Sequence, residues 1–186
     1  MNPPALFVAP VKHRLTVNEF LLLDDAGAFR SNTRTELIDG DIYVLNALHL
    51  PHARLSLQLG IALDAALPPP LEVANAPSIK LSDTSLPEPD LVVHQEKEAR
   101  LLTLEKALLV IEISDSSLSF DLGVKLRLYA STGIPEYWVV DIDGRQVRHF
   151  WQPDGERYLE ERVHGFGDRI ALATRPDIVV PTDRLL

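Results

Sequence analysis

The strongest pattern in the chain lies in ALLVIEISDSSLSFDLGVKLRLYASTGIPEYWVVD, residues 107–141, which predicts a strand, a loop, a helix and another strand. The first strand is apolar apart from one carboxylate, Glu112. A charged group in such a run is costly to bury unless it is paired or binds a metal ion. Asp121 and Lys125 follow on the predicted helix, four residues apart and therefore on one face. Glu112 and Lys125 are thus the first candidate functional residues.

The segments before this stretch predict two helices, a hairpin and several strands. Thr16 and Glu19 have the spacing of a capping box, and the helix they start is expected to end near Gly27. Asp39–Gly40 is a strong turn signal between two short strands. Apolar residues at helical spacing predict a second helix over residues 50–66. Further strands are expected at residues 71–76, 77–83 and 90–95.

The segments after residue 141 predict an antiparallel meander, because turns at Asp143–Gly144 and Pro153–Gly155 separate two more strands. One more short strand is expected in the weakly patterned tail. This element order predicts an α/β or α+β fold, in which helices flank a central mixed β-sheet that ends in a C-terminal β-meander. We expect a single domain over residues 1–186, with an irregular lead-in at 1–15.

The composition is that of a soluble globular protein and limits the chemistry. Apolar residues make up 46% and charged residues 24% of the 186 positions. There are no cysteines, which excludes disulfides, thiol catalysis and cysteine-bound zinc and fits a reducing cytoplasm. No stretch approaches the ~20 apolar residues of a membrane span, and the N-terminus lacks the pattern of a signal peptide. We therefore expect a cytoplasmic location and no membrane insertion.

The formal net charge is −9, from 18 basic and 27 acidic residues. It counts against a broad, sequence-independent grip on nucleic acid, which usually leaves a basic footprint. It leaves room for a local basic groove, or for a metal ion that offsets the carboxylates. The basic residues that would have to cluster around an acidic site to hold DNA are Arg30, Arg34, Lys80, Lys125, Arg127 and Arg148.

Three carboxylates stand in predicted strands: Glu36 in the hairpin, Asp90 at the start of a short strand and Glu112 in the apolar run. If the strands of Asp90 and Glu112 pair, both side chains can project to one face of the sheet near its edge. Hard oxygen ligands in such a place suit Mg²⁺ or Mn²⁺. A divalent ion there would activate a water molecule and neutralise charge at a phosphodiester, and a nearby lysine would stabilise the transition state.

Most of these residues also have a simpler interpretation. An aspartate that opens a strand after proline, as Asp90 does, is usually a turn or cap residue. Asp121 and Lys125 have the spacing of a surface ion pair worth about 0.3–0.5 kcal/mol. His52, near a helix start, is interpreted as a surface or capping residue before it is interpreted as a phosphate contact. Glu112 is the exception, because its apolar neighbours imply burial on both faces. Two further residues share a strand face with these carboxylates, Ser114 with Glu112 and His94 with Asp90.

At these residues the chain resembles a large bacterial family of restriction-endonuclease-like proteins, the Uma family, which is placed in the PD-(D/E)xK nuclease superfamily. The resemblance lies in TELIDGDIY, PEPDLVV, VIEIS, the helix of His52 and, above all, DLGVKLRLYASTGIPEYWVVD. It covers residues 16–165, nearly all of the ordered pattern. The late motif, D-x-G-x-K-x-x-x-Y-x-x-x-G-I-x-E-Y-W-x-V-D, is long and specific.

The resemblance implies a restriction-endonuclease-like core, a central mixed sheet flanked by helices. It implies that Asp90 and Glu112 bind the metal ion and that the peptide carbonyl of Ile113 completes the site. Glu36 matches an early glutamate found on or near the metal in many such nucleases. The chain departs from the simplest pattern at Ser114, where the second motif has a lysine. The resemblance implies that this lysine is relocated to the following helix as Lys125, with Asp121 orienting it or binding a second ion, and with His52 and Ser114 as supporting residues.

The resulting hypothesis is an endonuclease that hydrolyses phosphodiester bonds of DNA with Mg²⁺ or Mn²⁺. One alternative is a catalytically silent binding or regulatory module that keeps the fold, which the acidic balance and the lack of a basic arm favour. Another is a metal-dependent hydrolase of a different phosphate ester. Because nucleases that cut both strands are often two-fold dimers, a homodimer is a further expectation.

Overall fold

The computed structural model describes residues 11–30, 34–46, 49–98 and 100–185. Most of the lead-in expected at residues 1–15 therefore lies outside the described ranges, and residues 11–15 are irregular, as expected. Within these ranges, no helix has the length and apolar character that crossing a membrane would require.

The helices follow the predicted ranges closely. Thr16 Oγ1 accepts a hydrogen bond from the backbone N–H of Glu19, and the Glu19 carboxylate accepts one from the backbone of Thr16, which confirms the capping box. The second helix spans the predicted range. The helices are α1 (Val17–Asp25), α2 (Leu50–Ala66), α3 (Leu118–Phe120) and α4 (Leu126–Thr132), and a π-helical segment at Asp121–Lys125 joins α3 to α4.

The strands differ from the prediction mainly where they are short. The strand predicted at 77–83 is reduced to the two residues of β4, which pair in parallel with β6, and the tail forms two short strands rather than one. The strands are β1 (Arg34–Ile38), β2 (Asp41–Leu45), β3 (Glu72–Asn75), β4 (Ile79–Lys80), β5 (Leu91–His94), β6 (Leu102–Thr103), β7 (Ala107–Ser114), β8 (Glu136–Asp141), β9 (Gln146–Asp154), β10 (Arg157–Gly165), β11 (Arg169–Ala171) and β12 (Val179–Pro181).

The central sheet has six strands in the order β10-β9-β8-β7-β5-β3. β7 and β8 run parallel and the other neighbours run antiparallel, so the prediction of a mixed sheet with a C-terminal meander is confirmed. The parallel pair requires a crossover connection, which α3, the π-helical segment and α4 provide. β7 lies between β5 and β8, as its apolar composition predicts.

Helices cover both faces of this sheet. α2 covers one face through Leu55, Leu59 and Leu63, which belong to the same core cluster as the odd-numbered residues of β7. α4 covers the opposite face through Leu128 and Tyr129. Because successive residues of a strand face opposite sides, the even-numbered Glu112 points to the side of α4. The candidate carboxylate of β7 therefore faces the helix that follows it in the chain.

The helix predicted at 119–132 is continuous along the chain but not regular. In the segment Asp121–Lys125 the hydrogen bonding widens, and the N–H of Leu126 donates to the carbonyl of Asp121, five residues earlier. The helix ends at Gly133, whose positive φ of 85° forms a left-handed C-cap. The widened turns occur at the residues that carry Asp121 and Lys125, and both side chains are buried.

Candidate active site

The pairing of β5 with β7 brings Asp90 and Glu112 together. Leu91 pairs with Ile111 in this antiparallel ladder, so the residue before Leu91 lies opposite the residue after Ile111. The Asp90 side chain continues the ladder, because its Oδ2 accepts a hydrogen bond of 2.7 Å from the backbone N–H of Ile113. The orientation of the Asp90 side chain is therefore fixed by the neighbouring strand β7, and Asp90 is not simply a turn residue.

Glu112 is buried, as its apolar neighbours predict, with 3% of the residue exposed. Its Oε1 accepts a hydrogen bond of 2.8 Å from Lys125 Nζ and one of 2.7 Å from the hydroxyl of Tyr129. Burial raises the pKa of Glu112, Lys125 opposes this shift, and the nearby Asp121, Asp90 and Glu36 carboxylates add to it. The site thus concentrates negative charge around one buried glutamate.

Lys125 joins two strands that are far apart in the sequence. Its Nζ lies 2.8 Å from Glu112 Oε1 and 3.1 Å from Glu36 Oε1, and 2% of the residue is exposed. Burial works to lower the pKa of Lys125, but the charges of Glu112, Glu36 and Asp121 outweigh it and raise that pKa. Lys125 is therefore a fixed cation, and the lysine inferred on the helix does reach the glutamate of β7.

Asp90 is bound on three sides. Its Oδ2 lies 3.0 Å from Nε2 of His52, as well as 2.7 Å from the N–H of Ile113, and its Oδ1 lies 3.4 Å from Nη1 of Arg34. Although burial works in the opposite direction, the contacts with His52, Ile113 and Arg34 lower the pKa of Asp90. Asp90 is thus ionised at neutral pH and fixed in orientation.

His52 corrects the sequence interpretation. The sequence predicts a surface or capping residue, but only 6% of His52 is exposed and its ring contacts Asp90. The N-cap of α2 is His49, and no side-chain hydrogen bond caps that end. The helical spacing could not reveal this, because the burial of the first turn depends on where β5 begins in space.

Asp121 does not form the surface ion pair with Lys125 that the spacing allows. Both residues are buried, and Asp121 Oδ2 accepts hydrogen bonds of 2.7 Å from Ser114 Oγ and 2.6 Å from Ser117 Oγ. Burial raises the pKa of Asp121, and the charge of Lys125 and the two serine hydroxyls oppose the shift. Ser114, which stands where the second motif has a lysine, therefore anchors an aspartate of the following helix.

These side chains surround one cavity of about 270 Å³. Glu36 and Ser114 are not among the residues that line it. Glu36 instead accepts a hydrogen bond from the lining residue Lys125, and Ser114 donates one to the lining residue Asp121. His94, on the strand face of Asp90, is turned to the backbone of Glu96. Ile113 also lines the cavity, and the polar residues that line it include Arg34, His52, Asp90, Glu112, Asp121 and Lys125.

Sequence reasoning missed Tyr129 as a contact of the site. Tyr129 is four residues after Lys125 and shares its helix face, which is a signal that could have pointed to it. Of the basic residues considered for DNA binding, Arg34 and Lys125 line the cavity. Lys80 instead pairs with Asp83, and Arg148 with Glu161 on neighbouring strands at the far edge of the sheet. The basic cluster is therefore smaller than a DNA-binding protein would usually show.

Comparison with known proteins agrees with the fold and the motif. The sequence model of the Uma2 family, described as "Putative restriction endonuclease", matches residues 17–182. The chain belongs to the Uma2 family. Nearly all of the described chain, including every residue that lines the cavity, falls within the Uma2 match.

A solved structure shares this Uma2 fold. The crystal structure of "a putative nuclease belonging to DUF820 from Anabaena variabilis" superposes with a TM-score of 0.70 at 16% sequence identity, covering 92% of this chain and 97% of that one. At this identity the match shows the fold alone. A search of the curated proteins gave no match.

Divalent metal ions are the cofactors that a restriction-endonuclease-like family implies. Within the described residues, no group of three His, Asp or Glu side chains is arranged to hold a metal ion by itself. Asp90 and Glu112 nevertheless place hard oxygen ligands on one cavity wall. Because Mg²⁺ is commonly held by one or two carboxylates together with water and substrate phosphates, the donor chemistry of this cavity fits the ion.

Proposed function

We propose that this Uma2 protein is an endonuclease that hydrolyses phosphodiester bonds of DNA with Mg²⁺, or with Mn²⁺ in its place. The observation that carries the proposal is the convergence of Asp90, Glu112 and Lys125 on one cavity. A buried lysine beside two carboxylates is an expensive arrangement for stability alone. Clusters of perturbed pKa values in a cleft are typical of functional sites.

In this proposal Asp90 and Glu112 hold the metal ion, with the peptide carbonyl of Ile113 as a further ligand. When bound, the ion supplies an activated water molecule and neutralises charge on the phosphate. The contacts with His52, Ile113 and Arg34 lower the pKa of Asp90, so this ligand is ionised before the ion binds. Glu112 Oε1 already accepts hydrogen bonds from Lys125 and Tyr129, so Oε2 is the oxygen that would bind the ion.

The remaining residues orient these groups. Lys125 carries a permanent positive charge at the cavity wall and stabilises negative charge on the phosphate being cut.

Two residues hold these groups in place. Glu36 accepts a hydrogen bond from Lys125, and Tyr129 donates one to Glu112. His52 fixes Asp90, and Ser114 fixes Asp121, which contributes negative charge that keeps Lys125 protonated.

A second candidate, a binding or regulatory module without catalysis, is favoured by the small number of cations at the cavity. Lys80 and Arg148 are engaged in ion pairs elsewhere. Both oxygens of Asp90 and Oε1 of Glu112 already accept hydrogen bonds from protein groups. In such a module the Glu112–Lys125 pair would be a closed structural feature. It would then neither bind a metal ion nor hydrolyse DNA.

The expected homodimer and cytoplasmic location stay predictions. Nucleases that cut both strands of a duplex are often two-fold dimers, in which each subunit brings one such cavity to the DNA. Sedimentation of the protein with and without duplex DNA tests the dimer directly.

The test of the proposed function is calorimetric titration with Mg²⁺ and Mn²⁺, run beside a cleavage assay on plasmid and single-stranded DNA. Wild type is compared with Glu112→Gln, Glu112→Ala and Lys125→Ala. The matched control is Glu105→Gln, which changes a glutamate of a short 3₁₀ turn preceding β7 that does not line the cavity.

The nuclease requires metal binding that weakens in both Glu112 variants, and metal-dependent nicking that disappears in them and in Lys125→Ala. Glu105→Gln should behave as wild type in both assays. The result that would overturn the nuclease is a wild-type protein that binds no metal at millimolar concentration and leaves both DNA substrates intact. The binding or regulatory module would then be the better account of the function.

A further inference from the structure

A second cleft lies on the other side of Asp90 and His52. It is bounded by α2 and by β3, the edge strand of the central sheet, and its volume is about 480 Å³. Asp90 and His52 line both this α2–β3 cleft and the candidate active site. The two cavities therefore adjoin at Asp90 and His52, and a ligand in one would lie next to a ligand in the other.

The charges of the two cavities differ. The active-site cavity contains the cations Arg34 and Lys125. The described residues that line the α2–β3 cleft include no lysine or arginine, and its acidic members are Asp64 and Asp90. A phosphate can therefore meet cationic side chains in the first cavity, beside the carboxylates Asp90, Glu112, Asp115 and Asp121, but only carboxylates in the second. An occupant of the cleft should carry no negative charge.

The walls of the cleft are mostly apolar and small. Gly60 and Ala53 of α2 leave room for a flat group, and Leu91 forms part of the wall. Leu57 and Ile61 at its rim are 65% and 46% exposed, so apolar surface is left open to solvent there. Ligand sites of about 300–1,000 Å³ typically combine such walls with a few polar groups.

Those polar groups are Asn75 and Ser56. Asn75 Nδ2 of β3 donates a hydrogen bond of 2.8 Å to Ser56 Oγ of α2, and both residues line the cleft. This contact leaves the side-chain oxygen of Asn75 as an acceptor and the hydroxyl proton of Ser56 as a donor. An acceptor beside a donor is what the Watson–Crick edge of an unpaired nucleobase can meet, while apolar walls cover its faces.

We infer that the α2–β3 cleft binds one unpaired nucleobase of the strand whose phosphate lies at Asp90 and Glu112. The neutral base enters the cleft and the adjoining phosphate enters the active-site cavity. The assignment of this base to the strand being cut rests on the proposed function. The binding of a base by the cleft does not.

The first experiment tests base binding without phosphate, metal or cleavage. Deoxyadenosine is titrated into the isotope-labelled protein in EDTA, and the amide signals are followed by NMR. We expect saturable shifts confined to the cleft, at Ala53, Gly60 and Asn75, at concentrations up to about 10 mM. Deoxyribose 5-phosphate, which carries no base, should leave these signals in place.

Gly60→Leu is the variant that fills the cleft. A Cβ at Gly60 would lie 3.5 Å from Leu91 Cδ2, an ordinary contact, so this lining position accepts a side chain at its first carbon. The control is Ala65→Leu, which adds the same side chain to an exposed position of α2 outside the cleft. Should Gly60→Leu fail to fold, Asn75→Ala removes the acceptor instead. The shifts should vanish in Gly60→Leu and persist in Ala65→Leu. In Asn75→Ala the affinity for deoxyadenosine should fall about tenfold, because one hydrogen bond to the base is lost.

The second experiment places the base relative to the cut. A single abasic residue is moved along an oligonucleotide, and KM for cleavage is measured at each position. One position should raise KM about tenfold in wild type and have no added effect in Gly60→Leu. Cleavage that ignores every abasic position, with no deoxyadenosine shifts, overturns the inference and leaves the nuclease intact. Deoxyadenosine shifts in a protein that cuts no DNA support the base site and overturn the nuclease. Shifts caused equally by deoxyribose 5-phosphate overturn the base site.

Discussion

The ammonium group of Lys125 lies within 3.1 Å of two carboxylates from different strands, Glu36 and Glu112, and is almost completely buried. Removing one partner of a buried ion pair leaves the other charges without compensation, which typically costs more than the pair contributes. The same geometry serves the proposed chemistry, since a cation with a raised pKa keeps its charge when a phosphate approaches. Stability and activity therefore depend on the same atom.

We predict that Lys125→Met lowers the free energy of unfolding by about 3–5 kcal/mol, because two buried carboxylates lose their cation. Adding Glu36→Gln should recover part of the loss, since it removes one of the uncompensated charges. The control is Lys80→Met, which breaks an exposed pair with Asp83 and should cost less than about 1 kcal/mol. Urea denaturation of the variants measures all of these values, and similar losses for Lys125→Met and Lys80→Met would contradict the prediction.

At the scale of single residues, the sequence predicted identities better than contacts. Glu112 could be recognised from its apolar neighbours, and the PD and lysine motifs could be recognised from the resemblance. The burial of His52 and the turn of Asp121 toward Ser114 could not, because both depend on how α2 and the crossover dock on the sheet. Period and spacing give the face of an element, but they do not say what covers that face.

At the scale of elements, two glycines near the crossover test the backbone of the site. Gly123 lies in the π-helical segment and Gly133 forms the C-cap of α4. A Cβ on either would meet nothing within 4 Å. They differ only in conformation, since Gly133 has a φ of 85° whereas Gly123 has no positive φ. Both positions therefore have room for a Cβ, and an alanine would be strained only at Gly133, because of its positive φ.

We predict opposite signs for the same substitution at these glycines. Gly123→Ala should raise the free energy of unfolding by about 0.5–1 kcal/mol, because alanine loses less backbone entropy in a helix. Gly133→Ala should lower it by about 1–2 kcal/mol, because a Cβ disfavours the left-handed conformation. Thermal unfolding of both variants checks the signs. A loss of stability in Gly123→Ala would mean that the widened turn itself requires glycine.

The segment after β11 is attached to β8 by a buried carboxylate. Glu136 is fully buried, its Oε1 accepts a hydrogen bond from Trp138 and lies 2.8 Å from His149, and its Oε2 accepts two hydrogen bonds from Thr174. Burial works to raise the pKa of Glu136, but the contacts with His149 and Thr174 outweigh it and lower that pKa. The folded protein therefore holds Glu136 ionised more strongly than the unfolded chain does.

This difference predicts a pH dependence of stability. The contribution of Glu136 should be fully present above its unfolded pKa of about 4.3 and should be lost as pH falls through its lower folded pKa. Glu136→Gln should be less stable than wild type by about 1–3 kcal/mol near neutral pH, and the difference should shrink in acid. The control is Glu160→Gln, at an exposed position of β10. The free energy of unfolding is measured in urea from neutral pH down to acid pH. A difference between wild type and Glu136→Gln that stays constant with pH would show that the charge of Glu136 does not contribute to stability.

The sequence predicted which helices and strands form, but it did not predict where they depart from regular geometry or which distant strands pair. The capping box, the hairpin turn and the apolar run each depend on neighbours within a few residues, which is why α1, β1–β2 and β7 were predictable. The pairing of β4 with β6 and the wide turns at Asp121–Lys125 depend on distant partners. Tertiary packing overrides local preference in such places.

At the scale of the whole molecule, the net charge of −9 opposes the approach of DNA. The active-site cavity offers two cations, Arg34 and Lys125, and both face carboxylates. The proposed nuclease must therefore obtain most of its hold on DNA from the metal ion and from base contacts rather than from a basic surface. Such binding releases few counterions, since few phosphates are neutralised by side chains.

This argument predicts a shallow salt dependence. Raising KCl from 50 to 200 mM at fixed Mg²⁺ should lower kcat/KM on single-stranded DNA by about tenfold or less, against the 10³–10⁵ expected for six to ten phosphate contacts. Arg34→Gln should reduce the slope of log kcat/KM against log salt by about one if Arg34 touches a phosphate. Arg157→Gln, which removes an exposed partner of Asp154 on the distal hairpin, should leave the slope unchanged. A steep slope in wild type would mean that a basic surface holds the DNA, and it would move the binding face away from this cavity.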